Sequence, residues 1–268
     1  MALPVPPPTE MSRPAGGPTP MILSRQSGGY IVRRGDFVEK TGHRVRPREA
    51  AALRLVQQHT SVPVPTVHSQ SFADNHGTIC MSYVDGDPLD KIWTDFEDCD
   101  EIKEDVCNRI WDLIYQFRAI AKPAQFVNSF QCCADGTAST DVLIKALPNQ
   151  SLDPLASDAD LRQRIYERYW EFAGRRYERE LPDMLPRSDR TVFTHADIAP
   201  RNIIIGEGGN CPIVGIVDWE EAGWYPEYWE YANIMKPTID SDWQKWMERT
   251  APEKWDISGI AAARRVLF

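Results

Sequence analysis

A His195-Ala196-Asp197 step, then Asn202, then Asp218 sixteen residues further on constrains this 268-residue chain more than any other feature. Thr191-Val192-Phe193-Thr194 is a short β-prone run leading into the step. Ile203-Ile204-Ile205 and residues 213–217 are strand-like, and the Gly206-Glu207-Gly208-Gly209-Asn210 run between them is turn-rich. The hairpin they form folds Asp218 back beside Asn202. With residues drawn independently at ordinary usage, roughly one chain of this length in a hundred would hold His, Asp and Asn at these offsets. The blander use of the pattern is a polar turn in which Asp197 and Asn202 cap local backbone groups.

The three side chains have the chemistry of phosphoryl transfer. A nucleoside triphosphate giving up its γ-phosphoryl group needs a carboxylate beside the attacking hydroxyl and oxygen ligands for Mg²⁺. Protein kinases use a catalytic-loop His-Arg-Asp, an Asn after four more residues, and a later metal-binding Asp. Residues 192–231 resemble the aminoglycoside phosphotransferase-like family of small-molecule kinases. The likeness is strongest to a fungal branch reading Thr-His-Gly-Asp-Leu-x-Pro-x-Asn and then Asp-Trp-Glu-x-Ala-Gly-Trp-Tyr-Pro-Glu-Tyr-Trp-Glu-Tyr. Here the first run stands as Thr194-His195-Ala196-Asp197-Ile198-Ala199-Pro200-Arg201-Asn202. The second is Asp218-Trp219-Glu220-Glu221-Ala222-Gly223-Trp224-Tyr225-Pro226-Glu227-Tyr228-Trp229-Glu230-Tyr231.

The resemblance implies an α+β, protein-kinase-like two-lobed fold: a small β-rich, nucleotide-binding N-lobe over residues 21–85 and a larger, mainly helical, catalytic and substrate-binding C-lobe over residues 86–268. It implies ATP and Mg²⁺ as cofactors, Asp197 as the base, Asn202 and Asp218 as metal ligands, and His195 as a hydrogen-bonded brace of the loop. One position departs from the family, which has Gly where this chain has Ala196. A Cβ there costs roughly 1 kcal/mol if the backbone needs positive φ. Protein kinases carry Arg at the matching place, so Ala196 reads as permissive.

The upstream half fits the same scheme. Phe37-Val38-Glu39-Lys40-Thr41-Gly42 ends a β-prone hairpin, and residues 48–56 are strong helix formers. Lys40 fills the role of phosphate-anchoring cation and Glu49 that of its carboxylate partner; alone, the two also read as an exposed strand Lys and a solvated helix Glu. In the family, the segment Thr60-Ser61-Val62-Pro63-Val64-Pro65 recurs after this helix. Residues 78–86 read as a buried strand running into a turn and resemble the inter-lobe hinge, where backbone groups of Met81, Ser82 and Tyr83 meet an adenine edge. No Gly-x-Gly-x-x-Gly appears; Gly28-Gly29 and Gly35 serve equally as hairpin turns or as phosphate contacts.

Composition sets the remaining bounds. Residues 1–20 hold seven prolines and few large apolar groups, which predicts a disordered tail outside the fold. A formal charge of -9 argues against a nucleic-acid surface, and no run approaches eighteen apolar residues, so neither nucleic acid nor membrane is an expected partner and a cytoplasmic setting is. The six cysteines lack Cys-x-x-Cys spacing and the five histidines form no metal-spaced pair, so zinc is not expected. Residues 100–121 carry apolar side chains at steps of three and four, and residues 158–181 do the same with Leu161, Ile165, Tyr169 and Phe172. The stretch 123–154 between them is a candidate substrate-side insert.

Glu220, Glu221, Glu227, Glu230, Asp240 and Asp242 crowd the region after Asp218, among Trp219, Trp224, Tyr225, Tyr228 and Trp229. They could line a pocket for a cationic or sugar-like hydroxylated substrate. The more frequent arrangement packs such aromatics under the loop and leaves the acids solvated. Two other uses of the fold stay open from sequence: a catalytically silent nucleotide-binding module, and reuse for non-phosphorylating biosynthetic chemistry.

Overall fold

The computed structural model describes residues 19–26, 28–73, 75–97, 99–236 and 241–267. The proline-rich tail, apart from Thr19 and Pro20, and Asp240 lie outside the described residues.

Short strands build the first lobe, with burial alternating most clearly along the strand His76–Ser82. Strands β1 (Met21–Gln26), β2 (Gly29–Arg34), β3 (Phe37–Gly42), β4 (Val67–Ala73) and β5 (His76–Ser82) form one antiparallel sheet in the order β1-β2-β3-β5-β4. Helix α1 (Pro47–His59) crosses between β3 and β4. Its Pro47 sits in the first helical turn, where a missing N–H costs nothing, and Leu53 and Val56 are buried on its inner face. The register sets Lys40 on β3 opposite Ile31 of β2 and Ile79 of β5, in the middle of the sheet. Gly42 holds φ 150°, where an added Cβ would come within 2.0 Å of the Gly28 carbonyl, so the strand can close on the β1–β2 turn only without a side chain there.

The second lobe is mainly helical. After β6 (Asp87–Pro88) and the short α2 (Leu89–Ile92) comes α3 (Asp100–Arg118), the longest helix. Next come β7 (Cys132–Cys133), α4 (Asp158–Glu171), α5 (Leu181–Met184), β8 (Thr191–Thr194), β9 (Ile203–Ile205), β10 (Ile213–Ile216) and β11 (Gly223–Pro226). Helices α6 (Trp229–Ile234), α7 (Ser241–Thr250) and α8 (Ser258–Leu267) close the chain. Two small sheets, β10-β9-β6 and β7-β11-β8, carry the loop between β8 and β9.

The two-lobed α+β architecture is therefore the one the sequence indicated, with local differences. Helix α4 stops at Glu171, although the apolar spacing runs on. Ala173 takes φ 64°, and a Cβ on Gly174 would meet the Tyr169 ring at 2.5 Å, so the chain turns away and Phe172 is left exposed. Helix α3 stops at Arg118, short of 121, because Lys122 precedes Pro123 and that position disfavours helical backbone. The insert 123–154 is not wholly loop: its β7 pairs with β11, beside the strand that enters the loop of residues 195–202.

One hydrophobic cluster joins Leu53, Val56 and Ile79 to Ile110, Phe117, Ile216 and Trp219, and a second joins Leu161, Ile165 and Tyr169 to Tyr225, Trp229 and Ile260. At about 1.5–3 kcal/mol for each large side chain buried, these clusters hold the loop strands from both sides.

Candidate active site

Lys40 is where the two lobes meet. Its Nζ lies 3.0 Å from a Glu49 oxygen, 2.8 Å from Asp218 Oδ1 and 3.1 Å from Glu220 Oε2. Burial alone would lower the lysine pKa, but three carboxylates outweigh it, so Lys40 is held protonated well above its ordinary value. Burial pushes the Glu49 carboxyl up against the pull of Lys40. Helix α1 is fixed in turn by Arg48, which donates to Thr140 Oγ1 at 2.7 Å and Glu221 Oε1 at 2.9 Å across the lobe boundary.

The loop after β8 is fastened at every step. His195 is buried, its Nδ1 accepts the Asp197 amide at 3.2 Å, and its Nε2 faces the Val217 carbonyl at 3.0 Å. Desolvation lowers its pKa, so the ring is neutral, with the Nε2 proton directed to Val217. The Val217 amide donates back to the Asn202 carbonyl at 2.9 Å, which brings the Asp218 segment against Asn202. Both amide hydrogens of Asn202 go to Asp197, one to its carbonyl at 2.9 Å and one to Oδ2 at 3.1 Å. Asp197 Oδ2 also accepts from Arg201 at 2.5 Å, and Oδ1 lies 3.4 Å from Lys236 Nζ. Burial would raise the Asp197 pKa; Lys236 and Arg201 reverse this and hold it below the ordinary 3.8.

Two non-glycine residues bracket the site in left-handed backbone: Ala196 at φ 68° and Asp218 at φ 66°. Such strain persists where neighbours over-determine the conformation, and it concentrates at functional sites. At Ala196 the strain is roughly 1–2 kcal/mol, while its buried methyl returns about 0.8 kcal/mol and a glycine would lose about 0.5–1 kcal/mol of chain entropy on folding. These terms nearly cancel. Ala196→Gly is therefore expected to change unfolding free energy by less than about 1 kcal/mol, whereas Ala196→Val, β-branched and overpacked, should destabilise by about 2 kcal/mol or more in urea unfolding.

Met81, Ser82 and Tyr83, the expected hinge residues, lie at and just after the end of β5. Met81 is buried, the Ser82 amide donates to the Thr66 carbonyl at 2.9 Å, and the Tyr83 amide donates to the Asp36 carbonyl at 2.8 Å. A hinge contact with a ligand edge through Ser82 or Tyr83 thus falls to their carbonyls. Gly28 and Gly29 line a cavity of about 50 Å³ with Lys40, Arg44, Asp218 and Glu220, so the β1–β2 turn faces the ion-pair centre. The aromatics after Asp218 are packing: Trp219, Trp224, Tyr225, Tyr228 and Trp229 are all nearly fully buried. Glu221 pairs with Arg48, Glu227 with Arg190 and Asp242 with Lys103.

The model of the phosphotransferase enzyme family matches residues 22–253. The chain belongs to that family. Solved structures agree in fold. A GDP complex of a point mutant of aminoglycoside 2'-phosphotransferase IIIa aligns with TM-score 0.58 at 14% identity, covering 95% of this chain and 82% of the other. Aminoglycoside-3'-phosphotransferase of type VIII aligns with TM-score 0.52 at 15% identity, covering 94% of each. A choline/ethanolamine kinase family protein from Mesorhizobium loti aligns with TM-score 0.51 at 15% identity, covering 93% of this chain and 77% of that one. No curated protein matches this chain by sequence.

The donor set of this phosphotransferase suits Mg²⁺. With both its hydrogens on Asp197, Asn202 has Oδ1 available to a cation, and Asp218 and Glu220 add hard carboxylate oxygens. Sequence reasoning missed Glu220 as a third partner of Lys40, Arg201 and Lys236 as partners of Asp197, and Glu230. Glu230 is 1% exposed and accepts the amides of His195 at 2.7 Å and Ala196 at 3.1 Å. The signal for it was there: an acid wedged between Trp229 and Tyr231 is a charge in an aromatic run, and such charges are seldom buried without a partner.

Proposed function

We propose that this phosphotransferase moves the γ-phosphoryl group of ATP to a hydroxyl of a small molecule and that it stands in the fungal-type branch its Asp218 to Tyr231 run resembles. Asp197 accepts or orients the hydroxyl proton. Asn202 and Asp218 hold Mg²⁺, with Glu220 beside them. Lys40, kept in place by Glu49, anchors the α- and β-phosphates, and the carbonyls of the 81–83 segment meet the adenine edge. His195 sets the loop rather than taking a proton. When bound, Mg²⁺ neutralises phosphate charge as the transfer proceeds. The observation that carries this reading is the N-lobe cation Lys40 within 3.1 Å of Glu49, Asp218 and Glu220 at the mouth of the Asp197 loop.

One observation favours a second reading, a silent module or non-phosphorylating chemistry. The cavity at Lys40 measures about 50 Å³, and Asp218 and Glu220, which line it, are both paired with the lysine. Ligand pockets run to about 300–1,000 Å³, so phosphate binding requires those carboxylates to turn from Lys40 toward a cation.

A thermal-shift titration with Mg²⁺-ATP decides between them. At a hundredfold excess over Kd, binding adds about 2.7 kcal/mol of stability, which raises Tm by roughly 5–10 °C for a chain of this size. Asp218→Ala is expected to abolish the Mg²⁺-dependent part of that rise. A screen of hydroxylated metabolites for ATP-dependent mass gain then tests transfer itself. A shift without transfer leaves the silent module, and no shift removes the nucleotide altogether.

A further inference from the structure

The surroundings of Asp197 specify the charge of the acceptor. One carboxylate faces two cations there, Arg201 on Oδ2 at 2.5 Å and Lys236 on Oδ1 at 3.4 Å. Among the described residues neither cation has a second carboxylate partner within ion-pair distance. Lys236 is not a loose surface lysine: its amide donates to the Asn233 carbonyl at 3.3 Å, and Gln244 of α7 donates to the carbonyls of both Ile234 and Lys236. Arg201 is carried by the short 3-10 turn Pro200–Asn202, one residue from Asn202. The positive excess is local, since the whole chain carries a formal charge of -9.

Among the described residues, the acids after Asp218 that would welcome a cationic acceptor are engaged elsewhere. Glu220 is on Lys40, Glu221 on Arg48, Glu227 on Arg190, Asp242 on Lys103, and Glu230 on the loop amides. A hydroxyl can dock on Asp197 Oδ1, whose one partner among the described residues is Lys236 at 3.4 Å and which keeps a second lone pair free. An ammonium-bearing acceptor would add a third positive charge at that point, while an anionic group on the acceptor would pair with the two cations.

Building on the phosphotransfer reading above, we propose that the acceptor is a hydroxyl-bearing anion whose carboxylate or phosphate is clamped by Lys236 and Arg201. In the transfer the acceptor oxygen forms its bond to the γ-phosphorus as the bond from that phosphorus to the ADP oxygen breaks. The electron pair leaves with ADP, and the hydroxyl proton passes to Asp197.

Thermal-shift titrations of the full chain at matched ionic strength test this with four probes: D-glycerate, glycerol 3-phosphate, glycerol and choline. At least one of the two anions should raise the wild-type Tm, and glycerol and choline should not. Which anion does so distinguishes a carboxylate clamp from a phosphate clamp. Lys236→Met and Arg201→Met should each weaken apparent anion affinity about tenfold or more, and Lys236→Arg should restore much of it. Both side chains are partly exposed, at 30% and 56%, so the variants are expected to fold, which their unliganded Tm checks. Choline or glycerol binding as well as the anions, no anion binding, or anion binding unaffected by the substitutions each overturns the proposal. So does a loss confined to Mg²⁺-ATP binding in the variants, which would assign the cations to the nucleotide. A wild-type Mg²⁺-ATP shift without any anion shift defeats this proposal alone; absence of the Mg²⁺-ATP shift defeats the phosphotransfer reading.

Discussion

Asp197→Asn is expected to lower turnover by about 10²–10⁴-fold, or roughly 3–5 kcal/mol of barrier, while Mg²⁺-ATP still raises Tm. The amide keeps the shape of the carboxylate and can still accept from Asn202, but it cannot take a proton and no longer balances Arg201 and Lys236. Loss of those ion pairs does not account for inactivity through unfolding. Arg201 is 56% exposed and Lys236 30%, and pairs of that kind contribute about 0–1 kcal/mol. The cations also make a pH prediction. They hold the Asp197 carboxyl below its ordinary 3.8, so it is mostly ionised at every pH above that value, and the acid limb it gives to kcat/KM lies below 3.8. Single-turnover transfer measured beside Tm separates the cases: a variant as fast as wild type removes Asp197 from the chemistry, and a limb near pH 6 assigns it to another group.

Much of the fold was legible because the signals were local. The β8 run, the three isoleucines of β9 and the glycine-rich turn after them fix a hairpin, and that hairpin fixes where Asp218 falls. Local signals also placed Lys40 on a strand and Glu49 in the first turn of the next helix, but their pairing was indicated by the family resemblance and not by the residues alone. Contacts set by tertiary placement were not. Period alone cannot show that Ala173 turns left-handed and ends α4, or that two residues of the insert pair with β11. On α3 the apolar spacing marks Val106, Ile110, Ile114 and Phe117, and all four are buried; that Trp111 is buried beside them was not legible, because its indole donates to the Met247 carbonyl of α7. Of the partners of Asp197, Arg201 stands four residues on but on a 3-10 turn and not a helix, and Lys236 arrives from beyond the end of α6, which no spacing rule links to Asp197.

Replacing Glu230 should have the largest effect on stability. Its carboxylate holds two consecutive loop amides, and removing it leaves both buried N–H groups without an acceptor, at about 1–3 kcal/mol each. Glu230→Ala is thus expected to cost about 3–5 kcal/mol, a large share of the 5–15 kcal/mol typical of a domain, and to loosen the Asp197 loop in hydrogen exchange. Glu230→Gln keeps the shape and one acceptor oxygen, so it removes the titrating charge together with one of the two amide acceptors. Burial pushes the Glu230 pKa up to about 7, although the amides of His195 and Ala196 pull the other way. Between the unfolded value of about 4.5 and 7 the native protein therefore holds a proton that the unfolded chain has released. Stability from this group is fully present below about pH 4.5 and is lost as pH rises through 7, amounting to about 3 kcal/mol at roughly 1.4 kcal/mol per pKa unit. The glutamine variant has no such slope. His195 works in the opposite sense, because its lowered pKa withdraws stability as pH falls through the ordinary 6.5, but it is present in both proteins and cancels in their difference. Urea unfolding from pH 5 to pH 8 should show the advantage of wild type over Glu230→Gln shrinking as pH rises. A flat difference would mean that Glu230 keeps its charge throughout, held down by the loop amides it accepts.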